Sequence, residues 1–350
     1  MSLVKKNEWW EETRNFKKTV KEEYLDINET LAELENNSSV IRLELNTIEL
    51  PLFSKDPKRI KNQIKIYHFK TDKSSYLEIE APANYSIPGE FEERVFIALT
   101  KIMKNNNYSR SFVVSANEIL ETLGLSNKAY YKRIREALTL LSKTNYTFLN
   151  SLYSNKESGI IEKKIMSSIM NITIISKKDS RAKEIEAFED GRIKEVYEIN
   201  FTDYFYENII RKGYLAFDSG KLLAIENSVS RAIYTIVEKW RGYDLYIKRQ
   251  AFFIARRIPL KWDKTQIKRT IDTMEKALIE LRNLNLIKNY KIIKEKKWEL
   301  AEIEITYEES HNKTKRDTFF TEKNEFNSMD MLVTSTEEKI KCISEDFQSG

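Results

Sequence analysis

Basic side chains recur at helical spacing in two stretches of this chain. In residues 126–143, five lysines and arginines face a single acid, Glu136. Five polar residues share one face of the helix predicted over residues 127–143: Asn127, Lys128, Tyr131, Lys132 and Arg135. Ammonium and guanidinium groups bind phosphates and guanine, and a carboxamide binds adenine. This face is therefore predicted to contact nucleic acid.

The second stretch repeats this chemistry. Five polar residues share the outer face of the helix predicted over residues 264–283: Lys264, Thr265, Lys268, Arg269 and Lys276. Asp272 also lies there and is expected to pair with Arg269 or Lys276 at helical spacing, or else to accept a hydrogen bond from cytosine N4. Residues 246–261 hold no acid and five bases, and this cluster is predicted to position phosphates: Lys248, Arg249, Arg256, Arg257 and Lys261. A helix is predicted over residues 248–257. Lys294 and Lys296 extend the basic surface into the following strand pair.

The elements that carry these residues occur twice. Arg94, Phe96, Leu99 and Met103 align with Arg231, Ile233, Ile236 and Trp240 at an offset of 137, and Ala137, Leu138 and Leu141 align with Ala277, Leu278 and Leu281 at an offset of 140. The first copy has predicted helices at 90–104, 116–123 and 127–143, then strands at 146–152 and 164–175. The second has helices at 227–241, 248–257 and 264–283, then strands at 286–294 and 298–306. Helix, turn, helix and strand pair is the winged-helix order.

Local signals mark the predicted helix ends. Ser115 with Glu118, and Asp263 with Gln266, form capping-box patterns. Gly124 suits a turn, and Ser126 is predicted to cap the helix over residues 127–143. The fold class is therefore α+β and helix-rich, with two tandem winged-helix domains, an N-terminal helix and a disordered C-terminal tail.

The predicted domains are residues 1–48, an extension with an amphipathic helix over residues 7–36; 49–180 and 181–308, the two winged helices; and 309–350, a disordered acidic tail. Strands are expected at 41–50, 63–70 and 75–80, and residues 177–195 read as a charged linker or long loop. Net charge follows this division: −4 in residues 1–50, +16 in residues 51–297 and −7 in residues 298–350. A basic centre between acidic ends favours a polyanionic partner.

Several functional classes find no support in the sequence. The two histidines, His68 and His311, are far apart, and there is one cysteine, Cys342. No His-hydrophobe-His site, zinc-type cysteine pair or Gly-x-x-x-x-Gly-Lys loop occurs. We therefore expect no catalytic residue, no metal site and no cofactor. The absence of a long apolar run and of cysteine pairs predicts a soluble, cytoplasmic protein without a membrane partner.

Four features occur in order along the chain: Leu50-Pro51-Leu52-Phe53, the strands that follow, the Pro88-Gly89 turn into helix 90–104 and the tandem winged-helix order. They carry a resemblance to plasmid replication initiators of the replication initiator protein A type, which covers residues 48–306. It implies a protein that binds double-stranded DNA at repeated origin sites, melts adjacent AT-rich DNA and recruits the host replicative helicase or initiator proteins. It also implies a homodimer that represses its own gene. Helix 264–283 would be the main reader and helix 127–143 the second.

Three other functions fit parts of this pattern. A tandem winged-helix transcriptional regulator would bind duplex DNA in the same way. A winged-helix structural adaptor, such as a chromosome-segregation subunit, would use the domains for protein contacts, but the basic centre argues against it. A DNA-nicking enzyme would need the metal site that the sequence lacks.

The turn between the last two helices is expected to differ between the copies. Pro259 stands in the second copy where the first copy has its turn glycine, Gly124.

Overall fold

The computed structural model describes residues 39–316 except residues 71, 189–192 and 295–296. The predicted helix over residues 7–36 and the predicted disorder after residue 316 lie outside this part of the chain. The helices are α1 (Leu45–Glu49), α2 (Glu90–Asn105), α3 (Ala116–Thr122), α4 (Tyr130–Lys143), α5 (Asp203–Ile210), α6 (Ser219–Ala224), α7 (Ser228–Arg241), α8 (Ala251–Arg257), α9 (Ile267–Asn283) and α10 (Glu309–Arg316). Short 3₁₀ turns lie at Ser180–Glu184, Glu186–Phe188 and Trp298–Leu300.

The strands are β1 (Val40–Glu44), β2 (Ile64–His68), β3 (Tyr76–Glu80), β4 (Ser111–Val114), β5 (Asn145–Leu149), β6 (Tyr153–Ser154), β7 (Gly159–Ile160), β8 (Lys164–Ser167), β9 (Met170–Ser176), β10 (Glu195–Phe201), β11 (Tyr214–Asp218), β12 (Tyr246–Gln250), β13 (Asn289–Ile293) and β14 (Glu302–Thr306). All the strand pairs within the described sheets are antiparallel.

The two copies share one topology. In the first, α2, β4, α3 and α4 precede β9 and β10, and the sheet order is β4-β10-β9. In the second, α7, β12, α8 and α9 precede β13 and β14, and the sheet order is β12-β14-β13. The last strand is central in each sheet: Tyr197 faces Val114 and Ile174, as Ile305 faces Ile247 and Tyr290. Two tandem winged helices are therefore present, as the sequence predicted.

The first wing differs from its predicted strands. Residues 146–152 and 164–175 were expected to pair, but β5 pairs with β3 and β8 in a separate sheet of order β2-β3-β5-β8. Leu77, Ile79, Tyr146 and Phe148 are fully buried on its inner face. The true partner of β9 is β10, which was assigned to the second copy. Residues 177–194 therefore connect the two strands of the first wing. Of the two predicted alternatives, a charged linker and a long loop, the pairing of β9 with β10 supports the long loop.

Several helix starts also differ from prediction. Helix α4 begins at Tyr130 and not at residue 127, because the Asn127 side chain accepts from Ala129 N (2.9 Å) and closes a turn ahead of the helix. Asp263 does the same with Thr265 N (3.0 Å), so α9 begins at Ile267. Residues 246–250 form a strand because they complete the second sheet.

The ends of the described chain hold further corrections. Within the strand predicted over residues 41–50, only the first part is extended, and Leu45–Glu49 forms α1. At the other end, α10 lies within the tail predicted to be disordered. The Asn312 side chain of α10 accepts from Arg241 Nη1 (2.7 Å) and donates to the Tyr243 carbonyl (2.6 Å), which fixes this helix to the second copy.

One apolar core runs through both copies, from Ile41 to Tyr307. The N-terminal strand β1 pairs with β11, which precedes the second winged helix. The sheets thus link segments on either side of the domain boundary predicted after residue 180, and that boundary stays a prediction. Among the described helices, none has the length and apolarity needed to cross a membrane.

Glu44 is a fully buried carboxyl at the end of β1. Its Oε1 accepts from Asn46 Nδ2 (2.7 Å) and Asn208 Nδ2 (2.6 Å), and its Oε2 accepts from Thr47 N (3.0 Å). The two asparagines also donate to the Tyr153 carbonyl, at 2.9 Å each. Burial outweighs these hydrogen bonds and raises the pKa of Glu44 to about 7.

Candidate nucleic-acid interface

The last helix of the second copy, α9, separates an apolar face from a basic one. Met274, Ala277, Leu278 and Leu281 are buried against the core, and α9 packs on α7. The outward face carries three exposed basic side chains that form no ion pair within the described part of the chain: Lys268, Arg269 and Lys276. Because no acid lies in the first turn of α9, its positive end is left unneutralised by its own side chains.

The residues just before α9 play a different role from the one predicted. Lys264 and Thr265 were placed on the helix, but both lie in the turn that leads into it, where they are exposed. Thr265 Oγ1 donates to Asp263 Oδ1 (2.5 Å), so its hydroxyl is engaged in the turn. Asp272 is exposed, and in the described region it pairs with neither Arg269 nor Lys276, contrary to expectation.

The equivalent helix of the first copy, α4, offers fewer unengaged cations. Lys128 and Lys132 are exposed and make no ion pair with a described residue. Arg135 pairs with Glu195 on β10 through two nitrogens, and this hydrogen bond raises the pKa of Arg135. The half-buried Tyr131 donates from its hydroxyl to Asn117 Oδ1 (2.8 Å).

Asn127 and Arg133 are also engaged near α4. The Asn127 carboxamide oxygen closes the turn before the helix, so its orientation serves that turn. The Arg133 guanidinium lies 4.1 Å from the centre of the Phe91 ring, a cation–π contact between α4 and α2. The first copy therefore presents a lysine pair, whereas the second presents a longer basic row with an arginine.

The basic residues of segment 246–261, which precedes α9, lie partly at the surface and partly in the interior. Arg249 and Arg256 are exposed, and Arg256 Nη2 donates to the His68 carbonyl at 3.4 Å. Although the residue as a whole is exposed, its guanidinium group is partly desolvated, and this effect, followed by the neighbouring Arg257, lowers the pKa of Arg256. Lys248 lies on strand β12 and not on a helix, and it pairs with Glu302 (2.7 Å) and Glu304 (3.7 Å) of the adjacent strand.

Arg257 does not belong to the exposed basic surface. Its side chain is 10% exposed, and its Nη1 lies 3.2 Å from Glu49 Oε2. The sequence placed it beside Arg256 as a phosphate ligand. In the structure, Arg256 Nη2 contacts the His68 carbonyl, whereas Arg257 contacts Glu49 and neutralises a buried carboxylate.

The wings add further cations. Lys294 is exposed, with its ammonium group 4.7 Å from the centre of the Trp298 ring; Lys296 lies outside the described residues. In the first wing, three exposed lysines that the sequence reasoning missed make no ion pair in the described region: Lys177, Lys178 and Lys183. The missed signal was the pair of β-branched, alternating segments around them, which become β9 and β10.

Comparison with known proteins shows to which family this chain belongs. The sequence profile of the replication initiator protein A family matches residues 42–247, more than half of the chain. The chain belongs to this family. The resemblance drawn from the sequence is thus confirmed. The match spans the whole first winged helix and ends in β12, so α8 and α9 of this initiator lie beyond it. Among curated protein sequences, none matches significantly.

One solved structure resembles the initiator in fold. A crystal structure of domains 2 and 3 of RctB, as a selenomethionine derivative, aligns with a TM-score of 0.52 at 12% identity, over 75% of this chain and 98% of that one. The Pi initiator protein in complex with iteron DNA aligns with a TM-score of 0.41 at 14% identity, over 62% and 90% of the two chains. Only the first likeness is close enough to bear on the fold. Within the described part of the initiator, no three His, Cys, Asp or Glu residues cluster as metal ligands.

Proposed function

We propose that this initiator binds duplex DNA at directly repeated sites of a plasmid or phage origin. The observation that carries the proposal is the exposed basic face of α9, on the helix that enters the major groove in winged-helix proteins. Arg269 and Lys268 lie in its first turn, which is the end that reaches base edges. Membership of a replication initiator family supports an origin as the target.

We propose that the two copies contact different parts of the DNA site. Helix α9 would read bases, with Arg269 able to bind guanine through two hydrogen bonds. Helix α4 would read the adjacent groove mainly through Lys128 and Lys132, because Arg135 is already paired with Glu195. Arg249, Arg256 and the wing lysines would bind phosphates and fix the register.

Later steps are proposed from the family alone. The bound initiator would melt adjacent AT-rich DNA and recruit the host replicative helicase or initiator proteins, and a homodimer would repress its own gene. We propose no enzymatic activity, since the sequence offers no nucleotide-binding loop and no nicking site. A cytoplasmic location follows from the proposed role.

Footprinting on the DNA that flanks the initiator's own gene tests the proposal. We expect protection of repeated units of about 20 base pairs, each built from two segments about 10–10.5 base pairs apart. If about 6–10 phosphates are contacted, affinity should fall about 10³–10⁵-fold between roughly 50 and 200 mM salt. A flat salt response, or protection of a single helical turn, contradicts duplex reading by two copies.

A further inference from the structure

Two buried ion clusters join the first half of the chain to the second winged helix. We call them the junction clusters. One contains Lys55, Glu93 and Arg231, and the other contains Glu49, Lys239 and Arg257. In each, a carboxylate from the first half of the chain contacts at least one cation from the second winged helix. The six side chains are between 1% and 14% exposed.

In the first cluster, Glu93 of α2 is held from two sides. Its Oε1 accepts from Lys55 Nζ at 2.7 Å, and its Oε2 accepts from Arg231 Nη1 at 2.8 Å. Burial alone would raise the pKa of Glu93, but the two cations outweigh it and the pKa is lowered. The carboxylate therefore stays charged near neutral pH.

Arg231 uses its remaining nitrogens on the backbone. Its Nε donates to the Leu222 carbonyl (3.2 Å) and its Nη2 to the Ile225 carbonyl (2.6 Å). The guanidinium group thus binds a carbonyl of α6 and the carbonyl just after it while it holds Glu93. Arg94, its counterpart in the sequence repeat, is only half-buried. The copies therefore use the same position differently.

In the second cluster, Glu49 of α1 contacts Lys239 Nζ through Oε1 and Arg257 Nη1 through Oε2, the latter at 3.2 Å. Burial would again raise the pKa of Glu49, and the two cations lower it overall. Lys239 comes from α7 and Arg257 from α8. The first half of the chain is thereby tied to two helices of the second winged helix.

The geometry makes the clusters a two-point clamp. Arg231 and Lys239 lie eight residues apart on α7, which corresponds to about 12 Å along a helix axis. A single contact would leave α7 able to pivot, whereas two contacts set its direction. Because α7 packs on α9, the direction of α7 also sets that of the DNA-facing helix.

Buried ion pairs are poor sources of net stability. Replacing them with apolar groups of similar size is often neutral or stabilising, and their best-attested use is to specify a unique arrangement. The apolar contacts across the junction, by comparison, favour burial of surface but do not favour one orientation of the two winged helices. Directional contacts placed in such a core point to a role in orientation.

We propose that the junction clusters hold the two winged helices at one angle, so that Glu49 and Glu93 are positioning residues that set the spacing between the two DNA segments. The inference rests on the proposed function. It adds a determinant of site architecture that contacts no DNA.

The test replaces all six cluster residues with apolar ones: Glu49→Leu, Lys55→Met, Glu93→Leu, Arg231→Met, Lys239→Met and Arg257→Met. The matched control removes Glu238 and Arg241, a buried pair 2.7 Å apart within the second copy, by Glu238→Leu and Arg241→Met. Dissociation constants are measured on the footprinted site and on versions with one, two or five base pairs inserted between its two segments.

We expect two inserted base pairs to cost wild type and control about tenfold or more in affinity, equivalent to at least one bidentate pairing with a base. The sixfold variant should lose about threefold or less, while it binds the natural spacing nearly as well as wild type. An unchanged spacing profile in the sixfold variant overturns the proposal. If that variant does not fold, judged by circular dichroism, the Glu49→Gln and Glu93→Gln double variant carries the same test.

A measurement without DNA separates this inference from the proposed function. Spin labels at Glu121→Cys on α3 and Asn283→Cys on α9, in a Cys342→Ser background, report the distance between the copies. We expect a single narrow distribution in wild type and control and a broad one in the sixfold variant. Equally narrow distributions overturn the clamp. Failure of wild type to bind any origin DNA overturns the proposed function and leaves the distance result to decide the clamp.

Discussion

At the scale of single residues, the neighbours Arg256 and Arg257 differ in exposure and in the partners of their side chains. The sequence treats them as one basic pair, but the structure exposes Arg256 and buries Arg257 against Glu49. We expect Arg256→Ala to weaken binding to all DNA sequences alike and to lower the salt slope by about one.

Arg257→Ala should instead act on stability. Removing one partner of a buried ion pair costs about 3–5 kcal/mol, and the retained Lys239 places this variant at the lower end. Urea unfolding and DNA titration of both variants provide the comparison. Equal loss of DNA affinity with unchanged stability in Arg257→Ala would show that its side chain reaches the DNA.

Arg269 is the side chain that we expect to read a base. Arg269→Ala should cost about 1–3 kcal/mol of binding free energy on the cognate site and relax specificity at one base pair. Arg256→Ala is the matched control, because it should affect cognate and random DNA equally. Titration against single-base variants of the site measures the effect. Equal losses on cognate and random DNA would contradict the placement of Arg269 at a base edge.

Glu44 should make folding stability depend on pH. Its pKa is raised from 4.5 to about 7, so the folded state holds a proton that the unfolded state releases. The resulting stability is fully present below about pH 4.5 and is lost as the pH rises through about 7, by about 3 kcal/mol at most. Urea unfolding of wild type and Glu44→Gln between pH 5 and 8 tests this, with the slope as readout. Parallel slopes would mean that Glu44 titrates at its ordinary pKa.

At the scale of elements, the sequence predicted what local periodicity encodes. Helices α2 and α7, and the buried faces of α4 and α9, follow from apolar residues at helical spacing. The duplicated order of these helices, together with the family resemblance, was enough to predict two winged helices. It was also enough to place Lys268 and Arg269 on an exposed face.

Local periodicity predicted neither the pairing of strands distant in sequence nor the geometry of the turns. Strand β10 pairs with β9 across an eighteen-residue loop and with the distant β4, and no local pattern states which partner a strand will choose. The helix starts were misplaced because the Asn127 and Asp263 side chains close turns that compete with helical hydrogen bonding. The burial of Arg257 likewise depends on Glu49, more than two hundred residues away in sequence.

The loop of the first wing, which the sequence predicts only as a charged linker or a long loop, yields a further prediction. Lys177, Lys178 and Lys183 are exposed on the loop between β9 and β10. Replacing all three with alanine should weaken binding to all sequences and reduce the salt slope by about three, one for each phosphate that is no longer neutralised. Lys156→Ala with Lys163→Ala, in the insertion between α4 and β9, is the control. An unchanged salt slope in the triple variant would place the first wing away from the DNA.

At the scale of the whole molecule, the two winged helices share one apolar core. The pairing of β1 with β11 and the junction clusters tie the first half of the chain to the second. We expect two winged helices fixed in this way to bind DNA as one unit, so that a DNA segment that does not match the angle between them would have to bend. Bending costs on the order of 1–6 kcal/mol, which extra contacts between several molecules bound side by side can offset.

Strand opening should therefore draw on binding energy and not on a reaction catalysed by the initiator. We expect permanganate-sensitive thymines beside the repeats when the purified initiator binds supercoiled origin DNA, with no requirement for ATP or divalent metal and no covalent protein–DNA product. The AT-rich steps should react first, because they unstack most easily. Relaxed DNA of the same sequence is the control and should react less, since negative supercoiling favours opening. A nicked product, or opening that needs ATP hydrolysed by this protein, would reveal a catalytic site. Tight, specific binding without opening would instead favour a tandem winged-helix transcriptional regulator.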